Sequence, residues 1–162
     1  MFDEANERLI SKHGSSGLLV DTNLLLLLII GNYRVDRIRT FKRTMKYERR
    51  DYNLLRLVMK RFRSVFTTPN IMTETDNLGR QLESREHAAF SLEFSKFARV
   101  AVEISQASAS IVGNRDYPRL GLADAVSTVA VKSCLLLSDD LTLCLAVQHN
   151  RLDAINFNHL RL

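Results

Sequence analysis

LLVDTNLLLLLII, residues 18–30, sets a polar triplet between two apolar runs, and its reading decides the fold. Gly17–Val20 has the length of an interior strand, and Asn23–Ile30 that of the helix following it. Asp21 then falls at the carboxyl end of the strand, where open α/β sheets place their ligands. Apolar neighbours on both sides make its charge expensive, because a carboxylate removed from water must be paired or hydrogen-bonded. A bound cation is the expected compensation.

The rest of the chain alternates in the same manner. His13-Gly-Ser-Ser-Gly17 reads as a turn before the first strand, and Gly31-Asn-Tyr33 as the end of the first helix. Residues 35–62 read as helix in two pieces. Residues 64–68 (SVFTT) read as a short strand, and Pro69 turns the chain into a helix starting near Ile71. Residues 86–109 read as helical, Asn114-Arg-Asp-Tyr-Pro118 as a break, and 122–132 as a further helix. Residues 134–137 form an apolar strand, 141–148 a helix and 154–157 a last strand. That order implies a mainly parallel, helix-covered sheet in a single domain over 1–162.

A length of 162 residues suits one such domain, and 46% hydrophobic content with only two prolines argues against disorder. Cys134 and Cys144 lie in apolar surroundings outside any CxxC pattern, as buried thiols of a reducing cytoplasm would. The charged start MFDEANERLI has no signal-peptide hydrophobic region, and Leu24–Ile30 is too short to span a bilayer. A cytoplasmic protein without membrane contact is expected.

Charge is unevenly distributed. Between Arg34 and Arg63 there are twelve basic and three acidic residues, a local +9, against −4 for the remainder. Arg43, Lys46, Arg49 and Arg50, interleaved with Tyr33, Phe41, Tyr47, Tyr52 and Phe62, suit phosphate contact with base stacking. The competing reading is a solvated basic face over a core stripe of Leu54, Leu55, Leu57, Val58 and Phe62, since aromatics at helical spacing are more often core.

The acidic residues fall at corresponding places on these elements. Asp21 follows the first strand, Glu74 lies one turn into the helix after Pro69, Asp124 opens the helix of GLADAVSTVAV, and Asp139 and Asp140 follow the strand CLLLS. In a doubly wound sheet these positions converge on one edge. Carboxylates brought that close raise one another's pKa or require a cation. Oxygen-only ligation favours Mg²⁺ or Mn²⁺. Taken singly, each has a plainer role: Asp124 as a first-turn acid on a helix dipole, Glu74 as an exposed acid, Asp139 and Ser138 as caps. Asp21 is the hardest to explain in that way.

LLVDTN, TTPNIMTE, LADAVSTVA and LLLSDDLTL, in this order, make the chain resemble the PIN-domain ribonucleases, over Leu18 to Asn158. The resemblance implies a three-layer α/β/α sandwich with a doubly wound, mainly parallel sheet of four to five strands. It further implies an acidic site that cleaves RNA with Mg²⁺ or Mn²⁺. Carried over by position, Asp21, Glu74, Asp124 and Asp140 are the catalytic, metal-binding set, with Asn23 and Ser138 as polar supports. The family's fourth motif usually reads Thr-x-Asp, whereas Ser138-Asp139-Asp140 stands here, so Asp139 is the alternative fourth acid. The basic insertion at about 32–63 is longer than in small toxin-type members of the family and suits an RNA-gripping cap or a partner surface. The same resemblance implies a homodimer and, for a toxin-like or defence-associated enzyme, an inhibitor or antitoxin partner.

The chemistry expected of this set is hydrolysis of an RNA phosphodiester by metal-activated water, with no covalent enzyme intermediate. His13, His87, His149 and His159 are scattered and look exposed, which gives zinc or Ser-His-Asp chemistry little support. Neither GxGxxG nor GxxxxGK[ST] occurs. The alternative from another class is a catalytically silent RNA-binding or scaffold PIN-like domain.

Overall fold

The computed structural model describes residues 2–161. Five parallel strands form one sheet: β1 (Leu18–Val20), β2 (Val65–Thr67), β3 (Val102–Glu103), β4 (Leu135–Ser138) and β5 (Ala154–Asn156), in the order β3-β2-β1-β4-β5. With helices against it, this is a three-layer α/β/α sandwich. Every residue of β1, β4 and β5 is buried, which explains the apolar runs 18–20 and 135–137: helices on both sheet faces leave no solvent side. Gly17 enters β1 at φ +110°, and a Cβ there would stand 2.3 Å from the Phe66 ring, so both conformation and space demand glycine.

The sheet is wound outward in two directions from β1, toward β2 on one side and β4 on the other. The carboxyl ends of β1 and β4 therefore flank the reversal point where such folds open a crevice. Val20 pairs with Leu137 and the Asp21 amide donates to the Leu137 carbonyl at 3.1 Å, which sets Asp21 beside Ser138.

Helix α2 (Thr22–Tyr33) follows directly, with Leu24 to Gly31 all buried. A helix apolar all round must be covered all round. It packs against β4 and against α3 (Arg49–Met59), α4 (Pro69–Gly79) and α5 (His87–Val100). Thr68 caps α4, its hydroxyl accepting from the Ile71 amide at 3.2 Å, and Pro69 fills the first helical position where its missing amide costs nothing. Helices α8 (Leu122–Ala130) and α9 (Leu141–His149) precede and follow β4. One large apolar core includes β1, α2 and β4, and a satellite of Ile111, Ala125 and Val126 lies under α8.

Three segments depart from the sequence reading. An N-terminal helix, α1 (Glu4–His13), is capped by Asp3, which accepts from the Asn6 amide at 2.8 Å. The stretch 35–48 is not a helix. After one 3-10 turn at Val35–Arg37 it runs as successive turns, fastened by the buried Thr44 hydroxyl donating to the Ile38 carbonyl at 2.9 Å. Residues 86–109 do not form one helix either, since α5 stops at Val100 and Ala101 turns extended. β3 then pairs with β2, and the Ile104 amide donates to Thr67 at 2.9 Å. Two four-residue helices, α6 (Ser108–Ile111) and α7 (Tyr117–Leu120), fill the way to α8.

No helix among the described residues is long and apolar enough to cross a membrane. Both cysteines are free and buried, and burial pushes Cys134 up to about 11 and Cys144 to about 12, so neither is a ready nucleophile.

Candidate active site

Asp21 ends β1 and caps α2, and both of its oxygens are fixed. Oδ1 accepts from the Thr22 amide at 2.7 Å and Oδ2 from the Ser138 hydroxyl at 2.6 Å. Ser138 in turn accepts from the Asp140 amide at 3.0 Å, so one hydroxyl joins the ends of β1 and β4. Asp21 is only 7% exposed. Burial pushes it up to about 6 against the lowering effect of its two hydrogen bonds, and the charges of Asp139 and Glu74 add to the rise.

Glu74, on α4, accepts from the Thr22 hydroxyl at 3.0 Å. Thr22 thus reaches from the start of α2 to the helix beside it, a role that only its place within Asp-Thr-Asn could have signalled. Asp124, one turn into α8, is half-buried and accepts no hydrogen bond from the described residues. Burial, then the charges of Asp21, Asp140 and Glu74, push it up to about 7. Asp140 is exposed and caps α9, its Oδ1 accepting from the Thr142 and Leu143 amides at 2.6 and 3.1 Å. Asp140, not Asp139 as the sequence suggested, takes the capping role.

Asp139 belongs to a different network. Its carboxylate accepts from Lys46 Nζ, from the Tyr47 hydroxyl at 2.6 Å and from Asn23 Nδ2 at 3.0 Å. Burial alone would raise it, but these donors outweigh burial and hold it below the usual carboxylate range. Asn23 therefore supports Asp139 rather than Asp21. Lys46 and Tyr47 lie 93 and 92 residues away in sequence, so no local signal announces the network.

The basic candidates divide. Lys46 stands at the acidic edge, whereas Arg43 donates to Gln81 at 2.7 Å, Arg49 faces Asp36 at 3.6 Å and Arg50 faces Glu48 at 3.2 Å. The interleaved aromatics are core: Phe41, Tyr47, Tyr52 and Phe62 are buried, and Tyr33 is half-buried with its hydroxyl on Glu86. His13 corrects the expectation of surface histidines, since it is mostly enclosed with Nε2 2.7 Å from Asp153.

Ion pairing separates the acids of the site from the rest. Of eighteen carboxylate side chains, twelve approach a basic group within 4.0 Å among the described residues. The six that do not are Asp3, the cap of α1; Glu103, exposed on the edge strand; and Asp21, Glu74, Asp124 and Asp140. Among the described residues no three His, Cys, Asp or Glu side chains are drawn together into a closed metal-holding group. The charges of neighbouring carboxylates add to the raised pKa of Asp21 and Asp124, and the oxygens of the four acids are the hard ligands that suit Mg²⁺ or Mn²⁺. A groove of about 390 Å³ adjoins them between α4 and α8, lined by Pro69, Asn70, Thr73, Glu74, Asn77 and Ala123.

No protein-family model matches the chain, and no curated protein matches it at a significant level.

Proposed function

We propose that the chain is a PIN-like endoribonuclease that hydrolyses phosphodiester bonds of RNA with Mg²⁺ or Mn²⁺ held by Asp21, Glu74, Asp124 and Asp140. The observation that carries this reading is the set of four carboxylates at the sheet's reversal point, none with a basic partner, beside an Asp139 that has one. A fold that supplies a lysine to Asp139 and none to its neighbours leaves room for a cation from solution. Bound there, the cation supplies positive charge beside the scissile phosphate and lowers the pKa of a water for in-line attack.

The chain's own residues do the positioning. Ser138 and the Thr22 amide hold Asp21, the ligand most enclosed by the core, and the Thr22 hydroxyl orients Glu74. The α9 amides fix the Asp140 carboxylate in place. Asp124, with no donor of its own, is the acid whose ionisation gains most from a cation. In this reading Asp139 holds Lys46 and Tyr47 at the rim and is not a ligand. A cytoplasmic setting, a homodimer and an inhibitor partner belong to the same proposal.

The test is cleavage of single-stranded RNA with and without Mn²⁺. Asp21→Asn keeps a side-chain cap for α2 but loses the negative charge, so it should abolish cation-dependent cleavage while thermal unfolding still reports a folded protein. Undiminished cleavage by this variant would sink the assignment. RNA retention without any cleavage or cation binding in the wild type would favour the silent, RNA-binding reading.

A further inference from the structure

The groove between α4 and α8 has a composition the acidic site does not explain. Asn70, Thr73 and Asn77 stand at i, i+3 and i+7 on α4, on the helix face that also carries Glu74, with Ala123 of α8 opposite. Asn70 is half-buried and Thr73 and Asn77 are exposed, and none of the three side chains has a hydrogen-bond partner among the described residues, so all three are free to meet a ligand. An amide carries both donors and an acceptor, and two unpartnered amides one helix face apart can receive a ligand that offers both kinds of group. The lining includes no basic side chain, so the groove offers nothing to neutralise a phosphate, and Glu74 at its border repels one. The small Ala123 leaves the opposite wall free for a flat ligand.

We propose that this groove is a nucleobase subsite, in which Asn70, Thr73 and Asn77 read the hydrogen-bonding edge of the base next to the phosphate that Glu74 and Asp124 address. The inference rests on the ribonuclease reading and adds sequence preference to it. Single-stranded RNA presents its base edges splayed from the backbone, and asparagine pairs best with an edge that sets a donor beside an acceptor, adenine above all. The phosphates stay with the acidic site and its cation, and the base enters the uncharged groove. Thr73, one turn from each asparagine, adds a hydroxyl that gives or takes a hydrogen bond as the base requires.

Binding separates this subsite from the chemistry. In a chelator, where no cleavage occurs, the wild type is titrated with the homodinucleotides of each base while the side-chain amide signals of Asn70 and Asn77 are followed by NMR. Both signals should shift, with ApA binding most tightly. Asn70→Ala and Asn77→Ala should each reduce the preference for ApA over UpU by about 5- to 150-fold, the range of one bidentate amide–base pairing. In the presence of Mn²⁺, cleavage sites mapped on a random-sequence RNA pool should lose the same preference in the variants. Amide signals that stay still, or variants with an unchanged base preference, overturn the subsite. Absence of pool cleavage by the wild type overturns the ribonuclease reading instead, and the dinucleotide titration still decides whether the groove accepts a base.

Discussion

Asp21 and Asp124 hold protons that exposed aspartates would have lost, with values of about 6 and about 7 against an ordinary 3.8. Burial is the main cause at both, and neighbouring carboxylates add to it. A folded-state pKa raised above the unfolded one means that the native chain binds more protons, so its stability falls as pH rises between the two values. In a chelator the melting temperature should therefore decline from about pH 4 toward pH 7 more steeply for the wild type than for Asp124→Asn, which stays neutral. Saturating Mn²⁺ should reverse the wild-type trend, because ligation requires the ionised acids. Equal slopes in chelator for the two proteins would show that Asp124 is not the strained acid. At this scale the sequence was most legible where geometry is local: a carboxylate after an apolar strand must be special, and Asp21 is. The Ser138 hydrogen bond followed from strand order, because parallel pairing of β1 and β4 brings their ends together. Asn23, read as a polar support of the acids, donates to Asp139, and the side chains that complete that network, Lys46 and Tyr47, arrive from a segment no motif describes.

Elements were legible according to how fully they are buried. β1 and β4 are fully buried and announced themselves as apolar runs, whereas β3 is a two-residue edge strand with both residues exposed and was absorbed into a helix. The turns at 38–47 read as helix because their apolar residues are spaced for a core, and Ile38, Phe41 and Tyr47 do reach it without helical backbone. Gly31 makes the same point within α2. It lies in the stretch 31–33 that reads as the helix end, and the helix does end at Tyr33, but Gly31 itself serves packing: a Cβ there would stand 2.3 Å from the Tyr52 ring of α3. The glycine permits close approach of two helices. Alanine there gains about 1 kcal/mol of helix propensity but overpacks a buried aromatic at a cost of about 1–3 kcal/mol. Gly31→Ala should thus lower stability in urea denaturation, and Tyr52→Leu in the same chain should recover part of the loss through coupling between the two sites. A Gly31→Ala protein more stable than wild type would mean that α3 yields freely.

Across the whole molecule, the +9 of residues 34–63 and the −4 of the remainder form a charge asymmetry that no single ion pair cancels. The segment touches the acidic edge at one point, Lys46 on Asp139, while Arg49 and Arg50 point to acids of their own segment from positions about 70% exposed. Pairs so exposed contribute little to stability, because water and salt screen them and side-chain entropy opposes them. Their consequence is a long-range positive field, which under the proposed ribonuclease reading would draw RNA toward an acidic site that otherwise repels it. Arg49→Glu with Arg50→Glu shifts the segment from +9 to +5 and should leave the unfolding midpoint nearly unchanged. RNA affinity should fall at low ionic strength, equally for all sequences, with the gap closing as salt rises. If both arginines also touch phosphates, the slope of log affinity against log salt should shrink by about 0.7 for each phosphate of a single strand that is no longer neutralised. An affinity and slope identical to wild type at every salt concentration would return the two arginines to a solvated face. Because the base-reading groove carries no basic residue, the charge reversal should leave base preference intact, just as Asn70→Ala and Asn77→Ala should leave the salt slope intact. Under the proposed reading the two surfaces would act on different parts of one strand, the field on its phosphates and the groove on a base, so the double perturbation should be additive in free energy.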